Sequence, residues 1–302
     1  MVARHSSANL SSCATVCVVI IIKRNREKVI RLRGTEEQAP RIAASSYLNT
    51  APLIWSFSRG SRRGAVELID AVPARCASVL TTREVDAALV PVIEYQRMSE
   101  VVVVPDVCVG SQRRVRSVVL VIKVEALKEV RRIALDESSR TSAALLKIIF
   151  REFLGFEPEW HPAAPDVGRM LERNDGALII GDPAMTFARE GLRVFDLAAL
   201  WREHTGVGFV FAMWMMRADA SPATRRIDFA GARDEGLART EEIVNCYLPL
   251  LGLERGDLRT YLRENISFSM NDEMRAGLNL YFELAHKHGI IPAVKPLKTI
   301  DA

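Results

Sequence analysis

The chain has 302 residues, of which 49% are hydrophobic and 26% charged. This composition is typical of a folded globular protein and excludes disordered, collagen-like and disulfide-scaffold classes. The formal net charge is +4, and the seven basic and three acidic side chains of residues 1–40 account for all of it. Residues 41–302 are therefore balanced in charge, which gives no electrostatic support for nucleic-acid binding.

Residues 1–40 differ in character from the rest of the chain. They hold an apolar run, Ala14–Ile22, of nine residues, about half the length of a membrane-spanning helix. Basic residues follow it without a small-residue cleavage site, so we predict no export signal, no membrane partner and a cytoplasmic location. Two interpretations stay open: a basic extension without ordered structure, or a start codon assigned too far upstream of a domain that begins at Arg41.

The five cysteines include no CxxC pair and show no zinc-ligand spacing with histidine. This pattern favours a reducing compartment and predicts neither disulfides nor a metal site.

From Arg41 onward, short apolar runs alternate with helical patterns, as in parallel α/β units. The predicted strands are 41–45, 66–72, 87–92, 101–104, 115–123, 132–135, 157–161, 177–181, 192–197 and 208–216. The predicted helices are one that opens at Pro52, then 73–82, 93–98, 141–154 and 167–173. After residue 222 only helices are predicted, over 223–251, 256–265 and 271–288.

Two βα series and a helical tail do not fit easily into one sheet. We therefore predict an α/β protein of two lobes, one built from 41–114 and 214–302 and the other from 115–213. The long strands 115–123 and 208–216 would join them. In such proteins the cleft collects strand carboxyl ends and helix amino termini, which bind anionic ligands.

Two polar loops follow strands and open helices. In Ser45–Thr50, Asn49 is a neutral hydrogen bonder suited to a hydroxyl or carboxylate, and helix capping is the alternative. In the second loop, Ser139–Ser142 combine hydroxyls with free backbone N–H groups, a pattern that predicts a binding site for a carboxylate or phosphate. Helix capping is again the alternative. Arg140 adds a charge-assisted hydrogen bond or forms an exposed ion pair with Glu137.

Three further segments are candidates. Ser111 and Ser117 flank a polar turn before a Val-rich strand, where a buried serine bonded to backbone is the alternative. Gly181 permits close backbone approach, and Asp182 is either a helix cap or an acid that faces the cleft. The segment ending at Phe209 forms a tight glycine turn. The sequence holds no P-loop, GxSxG, HExxH or dinucleotide fingerprint, so ATP, metalloprotease and hydride chemistry lose support.

Taken together and in order, these segments resemble the chorismate dehydratase family of the futalosine route to menaquinone. The matching stretches are RIAASSYLNTAPL (41–53), VDAALVPVIEYQRM (85–98), CVGSQRRVRSVVL (108–120), IALDESSRTSAALLK (133–147), LIIGDPAM (178–185) and HTGVGFVFAMW (204–214). The resemblance spans about residues 41–295. It implies a type II periplasmic-binding-protein-like fold with a helical C-terminal tail. It also implies dehydration of chorismate to 3-(1-carboxyvinyloxy)benzoate, without metal or organic cofactor.

The resemblance also implies a site, with Asn49 and Ser117 as the catalytic pair. The expected substrate-binding residues are Tyr47, Thr50, Ser111, Ser139, Arg140, Thr141, Ser142, Gly181, Asp182 and Phe209. The general base stays open between Asp182 and the substrate's own enolpyruvyl carboxylate. Chorismate is the expected small-molecule partner, and the sequence carries no signal for a particular oligomeric state.

Two alternatives remain beside the dehydratase. One is the sister enzyme that makes 1,4-dihydroxy-6-naphthoate, for which His204 is the candidate catalytic histidine. The other is a solute-binding protein of the same fold, which would require export.

Overall fold

Two mixed five-stranded sheets organise the chain, and the computed structural model describes residues 39–300. The predicted N-terminal extension lies, but for its last two residues, outside this range. The first sheet contains β1 (Arg41–Ala44), β2 (Glu67–Asp70), β3 (Ala87–Pro91), β4 (Val101–Ser111) and β10 (Phe209–Arg217). The second contains β5 (Val118–Ile122), β6 (Arg132–Asp136), β7 (Glu159–Ala163), β8 (Gly176–Ile180) and β9 (Arg193–Asp196). The spatial orders are β2-β1-β3-β10-β4 and β7-β6-β8-β5-β9, and this confirms the predicted two-lobed α/β architecture.

Helices cover both sheets. Those that precede β10 in the chain are α1 (Ala51–Ser58), α2 (Pro73–Thr81), α3 (Val92–Arg97), α4 (Arg140–Ile148), α5 (Val167–Arg173), α6 (Pro183–Thr186) and α7 (Leu197–Thr205). Those of the C-terminal tail are α8 (Pro222–Arg225), α9 (Phe229–Ala238), α10 (Thr240–Leu251), α11 (Arg255–Thr260) and α12 (Asp272–Lys287). A short 3-10 turn, Leu127–Glu129, follows β5.

The central strands are apolar at nearly every position because both faces of each sheet are covered. All residues of β3, β5 and β8 are buried. The last helix packs through an apolar stripe whose members are all buried: Met274, Leu278, Tyr281, Phe282 and Ala285.

The chain crosses between the sheets twice, through residues 112–117 and again just before β10. The return strand pairs with β3 and β4 from Phe209 to Arg217. The return crossing therefore precedes Phe209, earlier than the predicted boundary at residue 213. The outgoing strand is shorter than predicted, because residues 115–117 form part of the crossing and pairing begins at Val118.

Several element bounds differ from the predictions for identifiable reasons. The strand predicted at 101–104 extends to Ser111 through a bulged pairing with β10. The helix α7 was not predicted, and Asp196 caps it by accepting from the Ala199 N–H. The helical run predicted at 223–251 divides into three because Asp228 caps a new helix there.

Two predicted helices end in a π-helical turn. Ile149–Leu154 continues α4, and Tyr261–Asn265 continues α11.

Candidate active site

A cavity lined by residues of both lobes lies between the two sheets. The first lobe contributes the end of β1, the following loop, the start of α2, the end of β3, and parts of β4 and β10. The second lobe contributes the segment before β5, the start of α4 and the end of β8. The lining residues are Ser45, Tyr47, Asn49, Thr50, Pro73, Leu89, Pro91, Val109, Val115, Val118, Ser139, Thr141, Ser142, Ile180, Gly181, Phe211 and Ala212.

The structure brings most of the predicted site residues together at this cavity. Those that line it are Tyr47, Asn49, Thr50, Ser139, Thr141, Ser142 and Gly181. Ser111 and Ser117 are buried and are not part of the lining, although Val115 and Val118, near Ser117 in the chain, are. Asp182 lines a neighbouring, mainly apolar cavity, and Tyr47 forms part of the wall of both cavities.

Two further predicted site residues also do not line the cavity. Arg140 points outward, where its Nη1 donates to Oε2 of the buried Glu94 at 2.7 Å. Phe209 is fully buried and packs edge-on against Trp201 and Tyr281. A register shift in β10 lies between Val210 and Ala212, and it is Phe211 that supplies the aromatic wall.

Sequence reasoning also missed Ser45 and two prolines of the cavity wall. Pro73 begins α2, and Pro91 ends β3. Each lies at or shortly after the carboxyl end of a strand that faces the cleft. That position was the signal available in the sequence.

The loop after β1 uses its hydroxyls to orient Asn49. Thr50 Oγ1 donates to Asn49 Oδ1 at 3.1 Å and lies 3.0 Å from Ser45 Oγ. Because the amide oxygen already accepts a hydrogen bond, the amide NH₂ is the group that Asn49 can offer to the cavity. Thr50 is the N-cap of α1, yet it makes no side-chain capping bond within the described chain. The capping interpretation of this loop is therefore wrong for the helix that it opens.

The start of α4 shows the same pattern. Ser139 is the N-cap and makes no side-chain capping bond to the part of the chain that the structure describes. Thr141 Oγ1 accepts from the Ile93 N–H of the other lobe at 3.3 Å. The first turn of any α-helix leaves its N–H groups without intrahelical partners. Here those groups lie at the cavity, together with the positive end of the helix dipole.

The two lobes touch across the mouth of the cavity. The Leu48 N–H donates to Asp182 Oδ1 at 2.9 Å, and the Ala74 N–H donates to the Ser138 carbonyl at 3.0 Å. Gly181 has φ +67°, and a Cβ there would come within 2.7 Å of the Tyr47 ring. Close packing of Tyr47 on the Gly181 backbone thus requires glycine, for both its conformation and its size.

Acidic and phenolic groups beside the mouth have shifted pKa values. Asp136 is buried and accepts from the Ser138 N–H, the Ser138 hydroxyl and the Ile180 N–H. Burial raises the pKa of Asp136, raises that of Asp182 to about 6 and, with the nearby charges of Asp136 and Asp182, raises that of Tyr47 to about 12. Since none of the residues that form the described cavity wall is Lys or Arg, neutral donors and helix dipoles must hold any anion bound there.

Other candidate features lie elsewhere. His204 is exposed and stacks on Phe153, with ring centroids 4.6 Å apart, and so does not line the cavity. Within residues 39–300, no three His, Cys, Asp or Glu side chains are grouped so that they could hold a metal ion. No helix in that range is both long and apolar enough to span a membrane.

Comparisons with solved structures show the fold. A protein of Archaeoglobus fulgidus, solved by X-ray crystallography, superposes with a TM-score of 0.68 at 20% identity and covers 83% of this chain and 98% of its own. The alkanesulfonate-binding protein of Xanthomonas axonopodis, solved with MOPS bound, gives a TM-score of 0.58 at 12% identity, over 86% of this chain and 96% of its own. The fold is therefore that of periplasmic binding proteins.

Comparisons with sequences show the family. A family model described as "Menaquinone biosynthesis" matches residues 40–287. The chorismate dehydratase of Thermus thermophilus is 31% identical over 256 residues, which span 78% of this chain and 92% of that protein. The chorismate dehydratase of Campylobacter jejuni is 28% identical over 55% of this chain and 62% of that protein. The chain belongs to the menaquinone-biosynthesis family of enzymes that includes these chorismate dehydratases.

Proposed function

We propose that this chain removes water from chorismate to give 3-(1-carboxyvinyloxy)benzoate, and so acts as a carbon–oxygen lyase in the cytoplasm. The observation that carries the proposal is the interlobe cavity, whose polar lining consists of neutral hydrogen-bonding groups and two helix starts without capping bonds. Membership of the family supports the same conclusion.

The cavity offers two binding positions for the two carboxylates of chorismate. One is the start of α4, with the hydroxyls and backbone N–H groups of residues 139–142. The other is the loop that carries Asn49 and Thr50. Hydrogen bonds from neutral donors and a helix N-terminus stabilise anions without a counter-charge. The apolar surfaces of Phe211 and Leu89 then cover the ring of the substrate.

The reaction is an elimination that makes the ring aromatic. The ring carbon that bears the ether loses its proton, and the electron pair left behind is delocalised into the ring carboxylate. The neighbouring carbon–oxygen bond then breaks, and the hydroxyl leaves as water with a proton. Hydrogen bonds that the protein donates to the ring carboxylate become stronger as negative charge develops there. Asn49 is assigned to the leaving hydroxyl or an adjacent carboxylate, and Ser117 to the polar wall.

The structure bears on the choice of base. Asp182 lies in the neighbouring cavity and accepts from the Leu48 N–H, and a carboxylate beside a dianion is electrostatically costly. We therefore assign proton removal to the enolpyruvyl carboxylate of the substrate itself. Asp182→Asn is expected to retain turnover. A variant that still binds chorismate but no longer converts it would instead make Asp182 the base.

The direct test is to incubate the full chain with chorismate and EDTA and to follow the proton NMR spectrum. New aromatic signals with a retained enolpyruvyl methylene are the expected result. Unchanged chorismate together with ligand-induced thermal stabilisation would indicate a solute-binding protein. If chorismate neither reacts nor stabilises the chain, the sister naphthoate-forming reaction becomes the one to assay. The exposed position of His204 gives that alternative no structural support.

A further inference from the structure

A buried hydrogen bond joins the C-terminal tail to the crossing segment that leads to the second lobe. The Tyr261 phenol lies 2.7 Å from Ser117 Oγ, and both side chains are buried, with relative exposures of 1% and 0%. The two residues are 144 positions apart in the chain. The alternative for Ser117 was a buried serine bonded to backbone, yet its side-chain oxygen pairs with a phenol.

In this bond the Tyr261 phenol donates and Ser117 Oγ accepts. Burial raises the pKa of Tyr261 well above its ordinary value, which favours the protonated phenol. The hydrogen of the serine hydroxyl is left to donate elsewhere.

The position of Ser117 indicates where that hydrogen is used. Within residues 39–300, the bond from Tyr261 is the only hydrogen bond of Ser117 Oγ. Val115 and Val118, on either side in the chain, both line the cavity. The Ser117 carbonyl accepts from the N–H of Gly181, which also lines the cavity, at 2.8 Å. A fully buried hydroxyl hydrogen without an acceptor is costly, and an anionic or hydroxyl oxygen in the cavity would supply one.

The local backbone at Tyr261 is unusual in a way that supports a specific role. Tyr261 begins the π-helical turn, and the Ile266 N–H donates to the Tyr261 carbonyl five residues earlier at 3.2 Å. Such turns cost stability relative to regular α-helix and occur frequently at functional sites. The irregular turn ends α11 where Tyr261 reaches the crossing segment.

We propose that Tyr261 is a positioning residue, which fixes the Ser117 hydroxyl as a hydrogen-bond donor to an oxygen of the bound substrate. This inference rests on the proposed function and deepens it, because it names the residue that sets the direction of one donor in the cavity wall.

The test is a double-mutant cycle in the full chain with Tyr261→Phe, Ser117→Ala and the combined variant. Tyr261→Phe is expected to lower kcat about tenfold, the equivalent of one net hydrogen bond, with KM changed by less. In the Ser117→Ala background the same substitution is expected to change kcat little, since the group on which Tyr261 acts is gone. Equal losses in both backgrounds, or an unchanged kcat in Tyr261→Phe, would overturn the inference.

A matched control separates positioning from stability. Tyr95 is also buried, and its phenol donates to the Pro296 carbonyl and accepts from the Lys298 N–H, each at 2.8 Å, away from the cavity wall. Tyr95→Phe is expected to lower the melting temperature at least as much as Tyr261→Phe and to leave kcat unchanged. A kcat loss in both would assign the effect to stability and overturn the inference.

The same experiment distinguishes this inference from the proposed function. The unaltered chain is assayed first, and turnover of chorismate supports the proposed function whatever the variants do. If the chain binds chorismate without turnover, the cycle is read on the chorismate-induced shift in melting temperature, where equal shifts in all variants overturn the role of Tyr261. An unaltered chain that neither converts nor binds chorismate would overturn both proposals.

Discussion

The helices α1 and α4, whose first residues line the cavity, begin differently from most helices whose first residues do not. Of the latter, five begin with a side chain that accepts from the helix's own backbone N–H groups: Asp166, Asp196, Ser221, Asp228 and Asn271. Two more, α10 and α11, lack such a bond but carry acidic residues in the first turn. At the cavity, α1 and α4 begin with Thr50 and Ser139, which make no capping bond to any described residue, and neither helix has an acidic first turn.

This difference indicates that some helix starts stabilise the fold and others bind the ligand. A capping side chain or an acid neutralises the positive end of a helix and stabilises the fold by about 1 kcal/mol. Ser139 leaves the start of α4 available for an anionic ligand, whereas at α1 the Ala51 and Leu53 N–H groups bond to backbone carbonyls and Pro52 has no N–H. Polar residues at the cavity therefore contribute less to folding than identical residues elsewhere, which allows the two regions to be separated by mutation.

The largest expected effect is on Asn49. Asn49→Ala removes a neutral donor from the cavity wall and should reduce kcat/KM by roughly 10²-fold or more, the size of effect seen when a donor to developing charge is lost. The free energy of unfolding should change little, since Asn49 caps no helix. Steady-state kinetics with chorismate and chemical denaturation measure the two quantities.

Asn271 provides the matched control for Asn49. Its Oδ1 accepts from the Met274 N–H at 2.8 Å and caps α12. Asn271→Ala should therefore lower the free energy of unfolding and leave kcat/KM unchanged. The comparison would fail if both asparagine variants lost activity and stability in the same proportion.

Gly181→Ala tests the contact of the lobes at the mouth. The left-handed backbone and the Tyr47 ring within 2.7 Å of the added Cβ should hold the lobes apart. We expect a rise in KM of roughly tenfold, because positioning of the substrate depends on closure. X-ray scattering with bound substrate should show a larger radius of gyration than for the unaltered chain. Unchanged KM and radius would mean that the mouth tolerates a methyl group and that the contact has no role in closure.

A smaller effect is expected from pH, through Asp182. Burial raises the pKa of Asp182 to about 6 from its ordinary value of 3.8, so the proton is bound more tightly in the closed protein than in the unfolded chain. The contribution to stability is complete below about pH 3.8 and is lost as pH rises through about 6. In Asp182→Asn, the melting temperature should depend less on pH between about 3.8 and 6 than in the unaltered chain.

The control for the pH effect is Asp166→Asn, which alters a cap away from the cavity. It should keep the pH dependence of the unaltered chain. A slope that persists in Asp182→Asn would assign the titration to another group at the mouth, with Asp136 the nearest alternative.

The sequence was sufficient for the order of most elements, the two lobes and most of the polar residues of the cavity wall. Loops that follow buried strands and open helices are brought to one cleft by the topology, so Asn49, Ser139 and Gly181 could be placed there. Side-chain direction could not be predicted in the same way. Arg140 points outward because Glu94, 46 residues away in sequence, is buried beside it.

The aromatic wall shows a second limit. Alternation along β10 does not reveal that its register shifts between Val210 and Ala212, so Phe209 was chosen over Phe211. Pairings between distant segments, such as Tyr261 with Ser117, carry no local pattern at all. Each of these misses depends on a contact between residues far apart in the chain.

The smallest expected effect tests the comparison of helix starts most directly. Asp166→Ala removes the bond from the Arg169 N–H and should lower the free energy of unfolding by about 1 kcal/mol without a change in kcat or KM. Ser139→Ala, at a helix start without a capping bond, should leave the free energy of unfolding nearly unchanged and raise KM. Denaturation curves give the free energy of unfolding of each variant, and steady-state kinetics give its KM. Because the two substitutions remove a small polar side chain from the same helical position, only the difference in what each side chain binds can account for opposite outcomes; equal losses of stability would show that Ser139 caps α4 after all.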